Sequence, residues 1–268
     1  LNYISLNTFD LAMAAMLVVL NGALSFSLGL KLERQLLIAA IRMMVQLTLV
    51  GLVLKILFTL NSPQWTGFAA LAMILFAGGE VVARQKRRIA GFWFYGLGTG
   101  CMLLATGLIT VLALTIQIRP DPWYAPRYTL PLLGMILGNT MTGISLGLDN
   151  LFAGLVREQR AIEAQLALGA TRWKAVLPVT RNALYSALIP IINAMAASGL
   201  VSLPGMMTGQ ILAGVDPIEA VKYQMLIMFL ISGSTAFGSV GAVLGGVYWL
   251  TDTRHRLRLD RLIWSKNI

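Results

Sequence analysis

Cysteine and histidine are almost missing from this chain of 268 residues: Cys101 is the one cysteine and His255, in a basic tail, the one histidine. An intramolecular disulfide framework is therefore excluded, as is a His/Cys-rich metal cage within one chain. Charge is scarce too. Only 12% of residues are Asp, Glu, Lys or Arg, against 57% hydrophobic, and the mean hydropathy of +0.75 lies far from that of a soluble globular domain. No Gly-x-x-x-x-Gly-Lys-Ser/Thr loop, nucleophile elbow or His-Glu-x-x-His pair occurs, so the chain is expected to bind no nucleotide and to catalyse no reaction itself. Alternating ten-residue strand patterns are lacking, which argues against a membrane β-barrel. The first apolar run, residues 11–30, is long enough that it is expected to remain as a span and not to be cleaved as a short signal peptide.

What is present in quantity is apolar sequence of membrane-crossing length, about 20 residues per run for a hydrocarbon core of about 30 Å. Seven helical spans are expected, at 9–30, 36–60, 65–83, 92–118, 129–152, 183–203 and 223–250, in one all-α integral membrane domain covering 1–268. Lys and Arg alternate along the connections. Lys31, Arg34, Arg84, Lys86, Arg87, Arg88, Arg157, Arg160, Arg172, Lys174, Arg181, Arg254, Arg256, Arg258, Arg261 and Lys266 fall on one side, against Arg119 and Arg127 on the other. The positive-inside rule then places the N-terminus outside, the C-terminus in the cytoplasm and the chain in an inner (plasma) membrane. The net charge of +10 is accounted for by this signal and by anionic lipid, without a nucleic-acid partner.

Three charges interrupt the spans. Arg42 and Gln46 share one face of span two. Arg42 lies roughly 9 Å past Leu36 at 1.5 Å per residue. It either snorkels to the headgroups or belongs to a transport path. Lys55 and Lys222 lie nearer span ends. Glu80 is expected to pair with Arg84. Span five is small and polar, with Pro131, Gly134, Gly138, Asn139, Thr140, Thr142, Gly143, Ser145 and Gly147. Close helix packing and a path-lining helix both fit that composition. Asn139 would face the path and Asp149 would stand near its cytoplasmic mouth. In span seven, Gly241 and Gly245 form a Gly-x-x-x-Gly pattern that fits packing or dimerisation. The 13 methionines are read as packing residues, with a Cu(I) path the minor alternative.

One long polar stretch, 155–181, lies between spans five and six. It holds helix formers up to Leu168 and then a glycine suited to a sharp turn. Within it, Glu163-Ala-Gln-Leu-Ala-Leu-Gly169-Ala-Thr171 resembles the Glu-Ala-Ala-x-x-x-Gly coupling segment of ABC-transporter permeases. There, a short cytoplasmic helix docks in a cleft of a separate ATPase. Pro178 follows Gly169 more closely than the importer pattern has it. A second stretch, from Ser198-Gly-Leu-Val-Ser202-Leu203-Pro204-Gly205-Met206-Met207-Thr-Gly209 through Asp216-Pro217 to Gln224, resembles the signature of the FetB-like family of ABC permeases. Agreement extends to Arg42, Gln46, Gly51, Leu54 and Lys55 of span two, and to Pro131, Gly134, Met135, Ile136, Gly138 and Asn139 of span five.

The resemblance implies a permease subunit that works as a homodimer with two copies of a separate ATPase, which binds ATP and Mg. Bacterial members are linked to iron export and plant relatives to aluminium tolerance, so the cargo implied is a metal ion, most plausibly iron. Glu163, Ala164, Gly169, Ala170 and Thr171 would transmit ATP-driven closure, and spans two, five and seven would line the route. Ser202, Leu203, Pro204, Gly205, Met206, Met207, Gly209, Asp216 and Pro217 would form an outer gate or a compact outer loop, with Asp216 capping span seven and Pro217 at its first turn. No metal ligand set is assigned; oxygen or amide donors such as Asp149, Asn139, Asp216 and Glu80 are the candidates. An ATP-independent channel or carrier, an ABC permease for a non-metal solute, and a regulatory membrane anchor remain the alternatives.

Overall fold

The computed structural model describes residues 7–89, 93–252, 254 and 256–264. His255, Lys266 and the start of the fourth expected span at Phe92 lie outside them. The chain divides into two compact units, Leu1–Asn61 and Ser62–Ile268.

The first unit is a helical hairpin. α1 (Thr8–Ser27) begins at a capping box, in which the Asn7 side chain accepts from Thr8 N at 2.7 Å and Asn7 N donates to the Asp10 carboxylate at 2.9 Å. α2 (Glu33–Leu60) follows a tight turn. There Ser25, the buried residue of α1, accepts from Leu32 N at 3.0 Å and donates to Glu33 at 3.2 Å. Almost every other side chain of the two helices is exposed. Helices that are apolar all round suit a hydrocarbon solvent, which rewards no inward-facing stripe.

The second unit holds the packed core. α3 (Pro63–Arg84) starts with proline at its first position, where no N–H is needed. α4 (Trp93–Leu112) continues into a π-helical turn, Ala113–Ile118, that the sequence does not announce. α5 (Pro126–Arg157) is the central helix, packed on α3, on α4, on α7 (Arg172–Ala197) and on α9 (Pro217–Leu250). α6 (Gln159–Ala167) and α8 (Gly205–Leu212) are short. Seven helices in the two units together are long and apolar enough to cross a membrane, at Thr8–Ser27, Glu33–Leu60, Pro63–Arg84, Tyr95–Ile118, Pro126–Arg157, Arg172–Ala197 and Pro217–Leu250. The expected all-α membrane bundle is the observed architecture. The boundaries moved at the sixth span. Residues 172–182 join α7 as one helix that passes through Pro178 and Pro190, and the helix stops at Ala197, before 198–203.

Small residues explain why α5 can be central. A Cβ on Gly143 would stand 2.6 Å from Thr235 Cγ2, 2.8 Å from Ser239 Oγ and 3.2 Å from the Ala187 carbonyl, so three helices meet where that atom is missing. Thr140 and Ser234 share a buried hydroxyl hydrogen bond of 2.9 Å across α5 and α9. The span-seven glycines Gly241 and Gly245 face Cys101 and Leu97 of α4, so this pattern packs within the chain. Beyond α9, the tail folds back. β2 (Leu262–Trp264) pairs antiparallel with β1 (Arg87–Ile89), a small ribbon absent from the helical expectation. Arg261 Nη1 donates to the Trp249 carbonyl at 2.7 Å and holds the fold-back to the end of α9.

Candidate functional site: a helical elbow and its bundle

The elbow is built from α6, a glycine and the start of α7. α6 is mostly polar, but Ile162 is 2% exposed and joins the core that contains Phe152, Leu155, Val176 and Leu250. Leu166 packs against the same core. This apolar pair fixes one face of α6 to the bundle, and Glu163, Ala164 and Ala167 are exposed on the other. Gln159 Nε2 donates to Glu163 Oε1 at 2.8 Å, one turn along the exposed face.

Gly169 ends the helix with φ +87°, a conformation that costs a residue with a Cβ. Its N–H donates to the Leu166 carbonyl and that of Ala170 to the Gln165 carbonyl, both at 3.0 Å, which closes a Schellman turn. Thr171 then caps α7, its hydroxyl accepting from Lys174 N at 3.5 Å. The Arg172 guanidinium lies 5.7 Å from the Trp173 ring and 5.5 Å from the Tyr248 ring, tying this corner to α9. The result is a protruding corner with Leu168 at its tip, 87% exposed, on a firmly anchored base. Glu163, Ala164, Gly169, Ala170 and Thr171 thus lie together. Ile162 and Leu168 belong to the same element and were not singled out from sequence, although a lone Ile at helical spacing from Leu166 was the available signal.

The expected outer-gate residues form a second connected feature. Ser202 and Leu203 lie in the turn after α7, where Gly199 N donates to the Ser202 carbonyl at 2.9 Å. Pro204 stands at the N-cap of α8, which carries Gly205, Met206, Met207 and Gly209 and has no fully buried residue. Met206 packs against a core cluster that includes Ile191, Ile227 and Ile231. Asp216 caps α9 by accepting from Ile218 N at 2.9 Å and Glu219 N at 3.3 Å, with Pro217 at the first helical position. Leu200 and Val201 are 92% and 85% exposed, so this break in the bundle presents apolar side chains outward.

The remaining candidates are spread out. Arg42 and Gln46 are exposed on one face of α2 in the first unit. Asn139 and Asp149 are ten residues apart on α5, about 15 Å along the axis, too far to share one ion. Asn139 is exposed and Asp149 is half-buried. Glu80 is half-buried on α3. Among the described residues no three His, Cys, Asp or Glu side chains gather as a metal site. The polar residue that sequence reasoning missed most clearly is Gln85, which is fully buried and reaches α5.

Residues 8–249 match the family described as Uncharacterised protein family (UPF0014). The UPF0014 membrane protein slr1647 of Synechocystis sp. is 41% identical over 225 residues, covering 82% of this chain and 84% of its own. A protein of Escherichia coli K12 named "Probable iron export permease protein FetB" is 33% identical over 261 residues, 94% of this chain and 95% of its own. Protein ALUMINUM SENSITIVE 3 of Arabidopsis thaliana is 32% identical over 229 residues, 85% and 82% of the two chains. No solved structure matches the chain. A match that spans all seven long helices, with relatives similar along most of their length, places this chain in the UPF0014 family of multi-pass membrane proteins.

Proposed function

We propose that this chain is the permease subunit of an ABC transporter, through which a separate ATPase drives efflux of a metal ion, iron first. The observation that carries the reading is the elbow. α6 is anchored by Ile162 and ended by Gly169, and Thr171 caps the start of α7, so its exposed face is carried at the junction of α5 and α7. A partner that seats on Glu163, Ala164 and Leu168 therefore levers two membrane helices at once. ATP and Mg belong to that partner, because the chain has no phosphate loop.

Charge supports the sidedness. The basic residues Arg157, Arg160, Arg172 and Lys174 flank the elbow, and by the positive-inside rule they support a cytoplasmic position for it and for the C-terminal tail. The iron assignment rests on the name of the Escherichia coli relative and on the shortage of thiol and imidazole, which leaves oxygen donors suited to a hard, weakly held ion.

The test is co-reconstitution of the chain with ABC ATPase subunits from its own source, in vesicles loaded with ferrous iron or competing solutes. ATP-dependent iron movement together with permease-stimulated ATP hydrolysis is the expected result. Solute movement without any ATPase would show a channel or carrier instead, and movement of another solute alone would remove iron but keep the permease.

A further inference from the structure

α3 and α4 touch at one end and part at the other. Thr99 of α4 lies against Gly78 of α3, and a Cβ on Gly98 would stand 3.4 Å from Val81. Gly67 lies about 16 Å further along α3, and Gly107 about 13 Å further along α4. There a Cβ would meet no atom of the described residues within 4 Å. The two glycines border a cleft of about 210 Å³ between the helices. Thr129 and Leu133, in the first turns of α5, also line it, and Pro63, Trp123 and Tyr124 stand where it reaches the helix ends.

The lining is apolar even though three threonines belong to it. Thr66 Oγ1 donates to the Ser62 carbonyl at 2.8 Å, and the hydroxyl oxygens of Thr110 and Thr129 are themselves buried, so methyl groups border the open space. Among the described residues no charged side chain lines it. Such walls offer nothing to an ion or to water. Apolar cavities of about 150 Å³ stay dry and take up small hydrocarbons instead.

The surroundings identify the occupant. Val111, in one wall, is exposed, and Leu108 and Leu104 continue the exposed face at helical spacing along α4. On a membrane-crossing helix such a face meets lipid chains. Along α3 the cleft extends from Pro63 to Ile74, about 16 Å at 1.5 Å per residue. One leaflet, half of a hydrocarbon core of about 30 Å, has the same depth. Trp123 and Tyr124 suit the headgroup level at which aromatic rings gather.

We infer that this cleft binds one acyl chain of a membrane phospholipid, taken from the leaflet at the Pro63 end. The chain supplies the packing that α3 and α4 do not give each other there, since parted helices forfeit dispersion contacts that a single hydrocarbon chain restores.

Native mass spectrometry of the purified full chain in mild detergent tests this. After washing that strips loosely held lipid, the wild type should carry one phospholipid mass per chain. Gly67→Leu and Gly107→Leu fill the cleft from opposite walls. Each should lower the occupancy about tenfold, as expected when burial of about two methylene groups is lost. Gly22→Leu, in α1, also adds a side chain where a Cβ meets nothing, and should retain the lipid. A phospholipid with a photoreactive group midway along one chain gives a second reading on the wild type, in case a leucine variant does not fold. Its label should concentrate in residues 63–74, 107–114 and 129–133, and unlabelled phospholipid should displace it. Absence of a phospholipid mass on the wild type, full occupancy in both leucine variants, or label spread evenly along the seven helices would each overturn the inference. So would a bound free fatty acid in place of phospholipid, or label that avoids the cleft because another part of the protein fills it. None of these readouts involves an ATPase, a cargo or transport, so the permease reading and this one fail separately.

Discussion

Gln85 Nε2 donates to the backbone carbonyl of Ser145 at 2.8 Å, across sixty residues of sequence and wholly within the bundle. The bond ties the end of α3 to the middle of α5. It is incomplete, because Gln85 Oε1 and Ser145 Oγ, both buried, have no hydrogen-bond partner among the described residues. Gln85→Met removes a hydrogen bond and an orphaned acceptor together, so the two effects offset and the loss should be about 1 kcal/mol. Gln85→Glu brings a charge to the same place and should cost several kcal/mol at neutral pH. Thermal unfolding in detergent separates them; equal melting points would mean that water reaches the site.

Gly143 makes the second prediction. With Thr235, Ser239 and Ala187 already against it, Gly143→Ala should cost about 1–3 kcal/mol through overpacking, and Gly143→Val should abolish the folded protein. Gly67, in α3, has open space around its missing Cβ. Gly67→Ala should leave the melting temperature equal or higher. Size-exclusion profiles and melting curves of the three variants check the ranking.

The elbow yields a separation of coupling from folding. A Cβ on Gly169 would meet no atom within 4 Å, so Gly169→Val acts mainly by straining a backbone at φ +87°, by about 1–3 kcal/mol, and should open the turn. The bundle's melting point should barely change, while permease-stimulated ATP hydrolysis falls. Ile162→Ala should do the converse damage, costing about 2–4 kcal/mol of packing at the base of α6. Parallel melting and ATPase measurements on both variants decide the matter.

The fold-back tail predicts an acid response. Hydrogen bonds from the backbone N–H of Arg256 hold Asp252 below its ordinary carboxyl value, and the Arg258 side chain does the same for Asp260. Carboxyls lowered in the folded state contribute stability that is fully present above their unfolded values near 3.8 and is lost as pH falls through the lowered ones. Hydrogen exchange of residues 256–264 should thus stay slow from neutral pH down to about pH 4, relative to the unfolded rate, and lose protection only in stronger acid. Loss of protection between pH 7 and 5 would contradict it.

Much of this protein is legible in local sequence. Seven runs of apolar residues need no partner to be recognised, because bilayer thickness alone sets their length. The Asp216-Pro217 cap and the stop at Gly169 are equally local, since each depends on atoms within a few residues. The same locality explains the misplacement of the sixth span. Arg172, Lys174 and Arg181 make 172–182 too polar to read as membrane, yet a helix need not stop where its apolar run does, and α7 takes in those residues as one helix.

Composition and chain-local spacing therefore determined the class of the protein, its seven crossings and its elbow, because hydropathy, helix period and capping act over distances shorter than one helix. The tertiary structure alone decided which sides of those helices are spoken for. Only the antiparallel register of α5 and α7 brings Gly143 against the Ala187 carbonyl and Gly154 against Val179. Only the fold-back of the tail pairs Leu262 with Ile89, and only the crossing of α3 over α5 gives Gln85 its carbonyl. Those relationships join residues tens to hundreds apart, and packing of small side chains, rather than any pattern along the chain, brings them together.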